Sequence, residues 1–252
     1  MKLLTLARDL RRRLARERQE LFVAEGVRAV EELLAARLPV RGLLAAPQLT
    51  EAPRGATLLD AARQRNVDIT YVDEREFASA AETDSPQGVL AVAEIPKRRL
   101  EEIDLARQAR IVVLDAVQDP GNVGTILRTA AALGASVVIA MPGTVDLWNA
   151  KVVRSAMGAL FHSPAFMSTW VELDTFRARQ SVAIWGADAE GTPLERVQPP
   201  DRLALLVGNE GAGLSAEGRA RVQQFVSIPI GSSVESLNVA VATGIILYQL
   251  RS

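Results

Sequence analysis

The chain has 252 residues, enough for one large domain or two small ones. It has no cysteine and a single histidine, His162, which excludes a disulfide framework, a thiolate metal site and a multi-histidine metal centre. A net charge of −1 excludes a protein that is basic all over, so any nucleic-acid contact must come from local patches.

Residues 2–20 carry Lys2, Arg8, Arg11, Arg12, Arg13, Arg16 and Arg18, with Leu3, Leu6, Leu10 and Leu14 at helical spacing. The pattern predicts one helix with an apolar stripe and an arginine-dense outer face, a face that either meets phosphates or is simply solvated. The segment lacks the apolar core and cleavage site of a signal peptide, and no run of about 18 apolar residues follows, so a cytoplasmic protein without a membrane span is expected. Next come a strand at Leu21–Ala24, a break at Glu25-Gly26, a helix over Val27–Ala36, a strand over Val40–Ala45 and a helix over Thr57–Arg65. Val67–Val72 is a strand, Arg75–Ala81 a short helix, Ser85-Pro-Gln-Gly88 a turn and Val89–Ile95 a strand. This alternation describes a small α/β unit, here taken as residues 1–96. The charged stretch 97–109 is read as a linker.

The alternation restarts in residues 110–252. Buried strands are predicted at Ile111–Ala116, Ser136–Ala140, Val182–Ala187 and Leu203–Val207, and shorter ones at His162–Met167 and Val226–Ile230. Helices are predicted from about Thr125 to Leu133, over Trp148–Met157, over Glu172–Gln180, near Ser215–Val222 and over Val239–Leu250. The last is apolar nearly all round and so reads as buried. Near-continuous apolar strands with helical crossovers mean a parallel sheet with helices on both faces.

Ligands of such sheets bind outside the carboxyl ends of the strands. Three polar segments with glycines fall there: Asp119-Pro-Gly-Asn-Val-Gly124, Gly208-Asn-Glu-Gly-Ala-Gly213 and Gly231–Asn238. None is a nucleotide-phosphate loop, which disfavours a dinucleotide-dependent enzyme. Taken one at a time, Arg128 could be a surface arginine, Glu210 a cap for the helix after it, and Ser236 and Asn238 caps of the last helix. All three segments serving structure alone is much less expected.

The segments LDAVQDPGNVGTILRTAAALGA (114–135), LALLVGNEGAGLS (203–215) and VSIPIGSSVESLNVAVATGIILYQ (226–249) closely resemble the three motifs of the SpoU (TrmH-type) RNA ribose 2′-O-methyltransferases of the SPOUT class. KVVRSAMGALFHSP (151–164) also resembles that family. LFVAEGVRAVEELL (21–34) and SPQGVLAVAEIP (85–96) resemble the substrate-binding domain that many members carry. The resemblance implies an N-terminal α/β RNA-binding domain and a C-terminal parallel-sheet α/β domain tied in a trefoil knot, a feature that sequence rules alone would not suggest.

It further implies S-adenosylmethionine as cofactor, no metal, and ribosomal RNA as the preferred substrate, for housekeeping modification or antibiotic self-protection. A transfer-RNA methyltransferase and a non-catalytic RNA-binding protein of the same fold are the alternatives. By the resemblance, the cofactor rests on backbone of Gly208, Ile228 and Leu237, with Asn209, Gly213, Pro229, Ser236, Pro142 and Thr144 as neighbours. Asn122, Arg128, Glu210, Ser236 and Asn238 match the family's functional polar positions. Some accounts give that arginine the role of base. A guanidinium does not readily lose its proton, so holding the neighbouring phosphate and stabilising alkoxide charge suits Arg128 better. RNA contact is expected at Arg8, Arg11, Arg12, Arg13 and Arg128, and a homodimer through the C-terminal domain, with the last helix in its interface.

Overall fold

The computed structural model describes residues 2–231 and 234–251. Ser232 and Ser233, part of the predicted loop before the last helix, lie outside the described residues. In chain order the elements begin with α1 (Lys2–Asp9), α2 (Arg13–Gln19), β1 (Leu21–Glu25), α3 (Val27–Ala35), β2 (Val40–Ala45), α4 (Gln48–Glu51), α5 (Gly55–Gln64), β3 (Ile69–Tyr71), α6 (Glu74–Ala80) and β4 (Val89–Glu94). They continue with β5 (Ala109–Leu114), α7 (Pro120–Ala132), β6 (Val137–Ala140), α8 (Ala150–Ser155), α9 (Ala159–His162), β7 (Ala165–Met167), α10 (Trp170–Gln180), β8 (Ala183–Pro193), β9 (Arg202–Val207), α11 (Ala216–Arg219), β10 (Gln224–Ser227) and α12 (Val239–Leu250). Among the described residues, no helix is long and apolar enough to cross a membrane.

The chain divides into two compact units, residues 1–97 with 148–162, and residues 98–147 with 163–252. In the first, the sheet runs β1-β4-β2-β3, with β4 antiparallel to both β1 and β2 and only β2–β3 parallel. Residues 148–162 pack here: the Trp148 and Phe161 rings lie 4.5 Å and 5.7 Å from the buried Phe22 ring. The Glu25-Gly26 break is built by the Ser85–Gly88 turn, because Gln87 Oε1 accepts the Val27 N–H at 3.0 Å and opens α3. The buried Glu25 carboxylate accepts the Glu82 N–H at 2.8 Å and the Thr83 hydroxyl.

The single helix expected over 2–20 is two helices with a corner at Leu10–Arg12. Arg16 is the cause. It is buried rather than part of an outer arginine face, and its Nη1 donates to the carbonyls of Leu10 at 2.8 Å and Arg11 at 2.9 Å, which α1 would otherwise leave unsatisfied. The corner also moves Leu14 off the apolar stripe, to 79% exposure.

In the second unit the sheet runs β10-β8-β9-β5-β6-β7, and every pairing is parallel. Its core is the Val, Ile and Leu of β5, β6, β8 and β9 with Leu173 and Phe176 of α10. Leu105, in the expected linker, is buried in that core, and its N–H donates to Gln180 Oε1 at 3.4 Å.

Two elements differ from expectation in ways that shape the site. Helix α7 begins at Pro120 instead of Thr125: Asp119 Oδ1 accepts the Asn122 N–H at 2.7 Å, and proline suits the first helical position, where its missing N–H costs nothing. Strand β10 stops at Ser227, paired with Pro193 of β8, and the chain from Ile228 to Gly231 leaves the sheet at Pro229, which cannot donate to a ladder.

Helix α12 is buried on one face only. It packs on α7, where a Cβ on Gly244 would meet Thr129 Cγ2 at 3.3 Å. Val241, Ile245 and Tyr248 are 51%, 42% and 53% exposed, so within this chain the helix is not covered all round.

Candidate active site

Beyond the carboxyl ends of β8, β9 and β10 lies a cavity of about 780 Å³, within the usual range of small-molecule sites. Its walls are 207–211 with Gly213 and Leu214 after β9, 226–231 with 234–239 running into Ala242 and Ile246 of α12, and Ala187–Ala189 with Pro193 of β8.

The β9 segment is a tight turn. Asn209 and Gly213 exchange main-chain hydrogen bonds of 2.9 and 3.0 Å. The Asn209 side chain braces this turn and ties it to the segment after β5. Its Oδ1 accepts the N–H groups of Gly211 and Ala212, both at 2.9 Å, and its Nδ2 donates to the Ala116 carbonyl at 3.0 Å. Gly208 must be glycine, because a Cβ there would overlap the Gly213 carbonyl and lie 2.6 Å from Leu214 N. The buried Asp115 fastens the far end of the turn, accepting the Ser215 N–H at 2.7 Å.

At the mouth Asn122 meets Glu210 and Asn238, which lie 88 and 116 positions later in the chain. Glu210 Oε1 accepts from Asn122 Nδ2 at 2.9 Å, and Asn122 Oδ1 accepts from Asn238 Nδ2 at 3.0 Å. Asn238 Oδ1 in turn accepts the Ala240 and Val241 N–H groups at 2.9 and 3.3 Å, capping α12. Glu210 also accepts the N–H groups of Gln118 at 3.4 Å and Asp119 at 3.2 Å. It therefore holds the start of α7 and not the helix after it, which Ser215 caps at 3.0 Å from Gly218 N. Glu210 can only accept, so the amides of Asn122 and Asn238 have one satisfactory orientation each. Burial pushes the Glu210 carboxyl up, but the Asn122 amide and the main-chain N–H groups of Glu210, Gln118 and Asp119 outweigh it. They hold it below the usual 4.5. The group is a fixed anion and a weak base.

Of the other residues singled out in the sequence, Gly208, Asn209, Gly213, Ile228, Pro229, Ser236 and Leu237 line the cavity. Pro142 and Thr144 do not. Thr144 is buried, and its Oγ1 donates to the Leu114 carbonyl at 2.9 Å. Arg128 is exposed and does not line the cavity either. Six residues beyond Asn122 on one helix, it stands about 9 Å further along the axis and about 120° round.

The Ala187–Ala189 wall was missed in the sequence. The β8–β10 register jumps from Gly186–Phe225 to Thr192–Val226, so residues 187–191 bow out of the ladder. Gly191 permits the close return, since a Cβ would lie 2.6 Å from Val226 N. The bulge brings Asp188 to the cavity, where the Glu190 N–H and the Arg219 guanidinium, 2.7 Å away, hold its carboxyl below the usual range against partial burial. The signal was present: GADAEG (186–191) is a fourth polar, glycine-bounded run at the end of a strand.

Known proteins resemble this chain over most of its length. Residues 5–91 match the MRM3-like substrate binding domain. A 23S rRNA guanosine 2′-O-methyltransferase of Bacillus subtilis is 33% identical over 94% of this chain and 90% of its own. The SpoU methyltransferase AviRb from Streptomyces viridochromogenes, solved in complex with the cofactor AdoMet, superposes with a TM-score of 0.89 at 30% identity, covering 99% of this chain and 97% of that one. An AdoMet-bound rRNA methyltransferase from Sinorhizobium meliloti gives 0.86 at 28% identity, covering 99% and 94%. Residues 109–248 match the SpoU rRNA Methylase family, and the chain belongs to that family.

Proposed function

We propose that the protein methylates a ribose 2′-hydroxyl of ribosomal RNA with S-adenosylmethionine. The observation that carries this reading is the Glu210–Asn122–Asn238 line set across the mouth of a cofactor-sized cavity. The cavity suits a sulfonium cofactor. Its walls combine the apolar Leu214, Ile228, Leu237 and Ile246 with the carboxylates of Asp188 and Glu210, which favour a cation. When bound, the cofactor supplies an electrophilic methyl group.

The chain's own task is alignment. Backbone of Gly208, Ile228 and Leu237 holds the cofactor, and Asn209 acts indirectly by fixing the turn. Ser236, Asn122 and Asn238 present polar atoms to the incoming ribose, with Glu210 anchoring them as a fixed anion. Arg128 takes the neighbouring phosphate and the developing alkoxide charge from its exposed position. Residues 1–96, with 148–162 packed in the same unit, serve as the RNA-binding domain, and the rest of 110–252 as the methyltransferase domain, knotted as the SPOUT resemblance implies; 97–109 connects them, with Leu105 anchored in the second unit's core. The setting is cytoplasmic, where ribosomal RNA is the substrate. The exposed Val241, Ile245 and Tyr248 stripe of α12 supports a homodimer through this helix; sedimentation as a monomer at micromolar concentration would refute that.

Ribosomal RNA is favoured over transfer RNA by the substrates named for the relatives that match the chain over most of its length. The decisive assay is transfer of radiolabelled methyl to unmodified 23S ribosomal RNA and to transfer RNA, followed by mapping of 2′-O-methyl sites. Label in transfer RNA alone would move the substrate, and label in neither would leave a binding protein.

A further inference from the structure

The corner between α1 and α2 makes a second concave site, a cleft of about 730 Å³ in the first unit. Lys2, Arg8, Arg12 and Arg18 line it, together with Asp9 and Gln19. We propose that this cleft grips the sugar–phosphate backbone of the RNA substrate, a reading that rests on the proposed RNA function.

The four cations face one carboxylate, so the cleft keeps a net positive charge. That carboxylate also organises it. Asp9 Oδ1 takes Arg12, while Oδ2 takes Gln19 Nε2 at 2.9 Å and Arg18 Nη2 at 3.5 Å. Arg8 is held separately, its Nε donating to Ser79 Oγ at 2.7 Å. Arg12 and Arg18 nonetheless stay 76% and 75% exposed, so their remaining N–H groups point to solvent in a restrained fork. A restrained guanidinium loses less side-chain entropy when it meets a phosphate, and it can meet it at two points.

The bend that brings Arg12 and Arg18 together is fixed from inside by the buried Arg16 and Leu10. A straight helix would have spread the same arginines round a solvated surface. Arg11 and Arg13 lie outside the cleft: Arg11 donates to the Ser79 carbonyl, and Arg13 pairs with Glu17 at 2.7 Å. The structure therefore divides the arginine run, with Lys2, Arg8, Arg12 and Arg18 as backbone contacts and Arg13 as a paired surface charge.

The test is equilibrium binding of unmodified 23S ribosomal RNA without cofactor, at several salt concentrations, for the full chain and its Arg12→Gln/Arg18→Gln double variant. Arg13→Gln and Arg63→Gln serve as controls. Two lost phosphate contacts should lower the slope of log affinity against log salt by about 1.4 to 1.8, so that the wild-type advantage shrinks about tenfold between 50 and 200 mM salt. Arg12→Lys/Arg18→Lys should keep the slope, and the controls should change it little. Millimolar inorganic phosphate should not displace the RNA. Melting and cofactor titration check that the variants are folded. An unaltered slope in the double variant, with methyl transfer intact, would overturn the cleft and leave the function standing. An equal loss in Arg13→Gln would reduce it to diffuse surface charge, and displacement by inorganic phosphate would make it an anion site. A wild-type chain that binds RNA through the cleft yet never methylates it would uphold the cleft and overturn the function.

Discussion

Asn238→Asp separates the two jobs of one side chain. As the cap of α12, Asn238 offers Oδ1 to the Ala240 and Val241 N–H groups, and aspartate caps equally well, with added favour from the helix dipole. As the end of the line at the cavity mouth it offers Nδ2 to Asn122 Oδ1 at 3.0 Å, and aspartate has no such donor. Turning the Asn122 amide round would satisfy the new carboxylate, but would set Asn122 Oδ1 against Glu210 Oε1, where its Nδ2 now donates at 2.9 Å. The mismatch moves one step and does not disappear. Losing one neutral hydrogen bond costs about 1 kcal/mol, and facing two acceptors adds about 1 more. If that difference falls on the aligned transition state, methyl transfer slows roughly thirtyfold. Melting temperature should fall only a little, because the stronger cap offsets part of the lost hydrogen bond. Single-turnover methyl transfer, measured with cofactor titration and thermal melting on the same preparation, checks all three quantities. A normal rate would mean that the line has no part in alignment. A slowed rate with an equal fall in melting temperature would mean that only the cap had been disturbed.

Arg128→Ala should lose about 3 kcal/mol of transition-state stabilisation, a hundredfold or more in rate, with cofactor affinity unchanged, and Arg128→Lys should recover little of it; near-normal single turnover would remove Arg128 from the chemistry. Gly208→Ala should force open the Asn209–Gly213 turn, since the new methyl overlaps main chain that cannot swing aside, and weaken cofactor binding roughly tenfold to a hundredfold by calorimetry. Unchanged affinity there would place the cofactor elsewhere. Glu210, with its carboxyl held low, contributes stability that is complete above the usual carboxylate value and is lost as pH falls through its lower folded value. The rate profile should therefore show no Glu210 limb between about pH 5 and 8, and the stability deficit of Glu210→Gln should be full above about pH 5 and shrink only as the pH falls below the usual carboxylate range; a rate limb near pH 6 that vanishes in Glu210→Gln would make it a base after all.

The apolar strands and the rule that parallel sheets bind at their carboxyl ends make the second unit and three of its polar segments readable before any coordinate. What a segment does with its side chains is less readable. Asn209 looks like a ligand contact in the sequence, yet its amide oxygen is used by its own turn and its amide nitrogen by the Ala116 carbonyl. Glu210 looks like a cap for the helix that follows, yet its partners lie about ninety residues earlier, at the start of α7. Spacing along the chain carries no record of such distant pairings. The start of α7 is written in Asp119-Pro120, an acceptor before a proline, although the glycines on either side of Asn122 favour a loop. The corner at Leu10–Arg12 has no periodic signature at all. It depends on Arg16 turning inward to two carbonyls, and leucine spacing alone points to a straight helix.

The order β10-β8-β9-β5-β6-β7 carries a consequence for how the protein comes to be folded. Ala109 of β5 pairs with Arg202 of β9, roughly ninety residues later in the chain. Bringing such distant segments together costs about 4 kcal/mol of loop-closure entropy before any burial offsets it. A β5 edge left bare until β9 docks would be apolar and unpaired, the kind of edge that recruits other chains. Refolding should be slow and concentration-sensitive, with soluble yield falling as expression is raised. Conditions that lengthen the life of that half-built sheet should harm recovery more than they harm the finished protein.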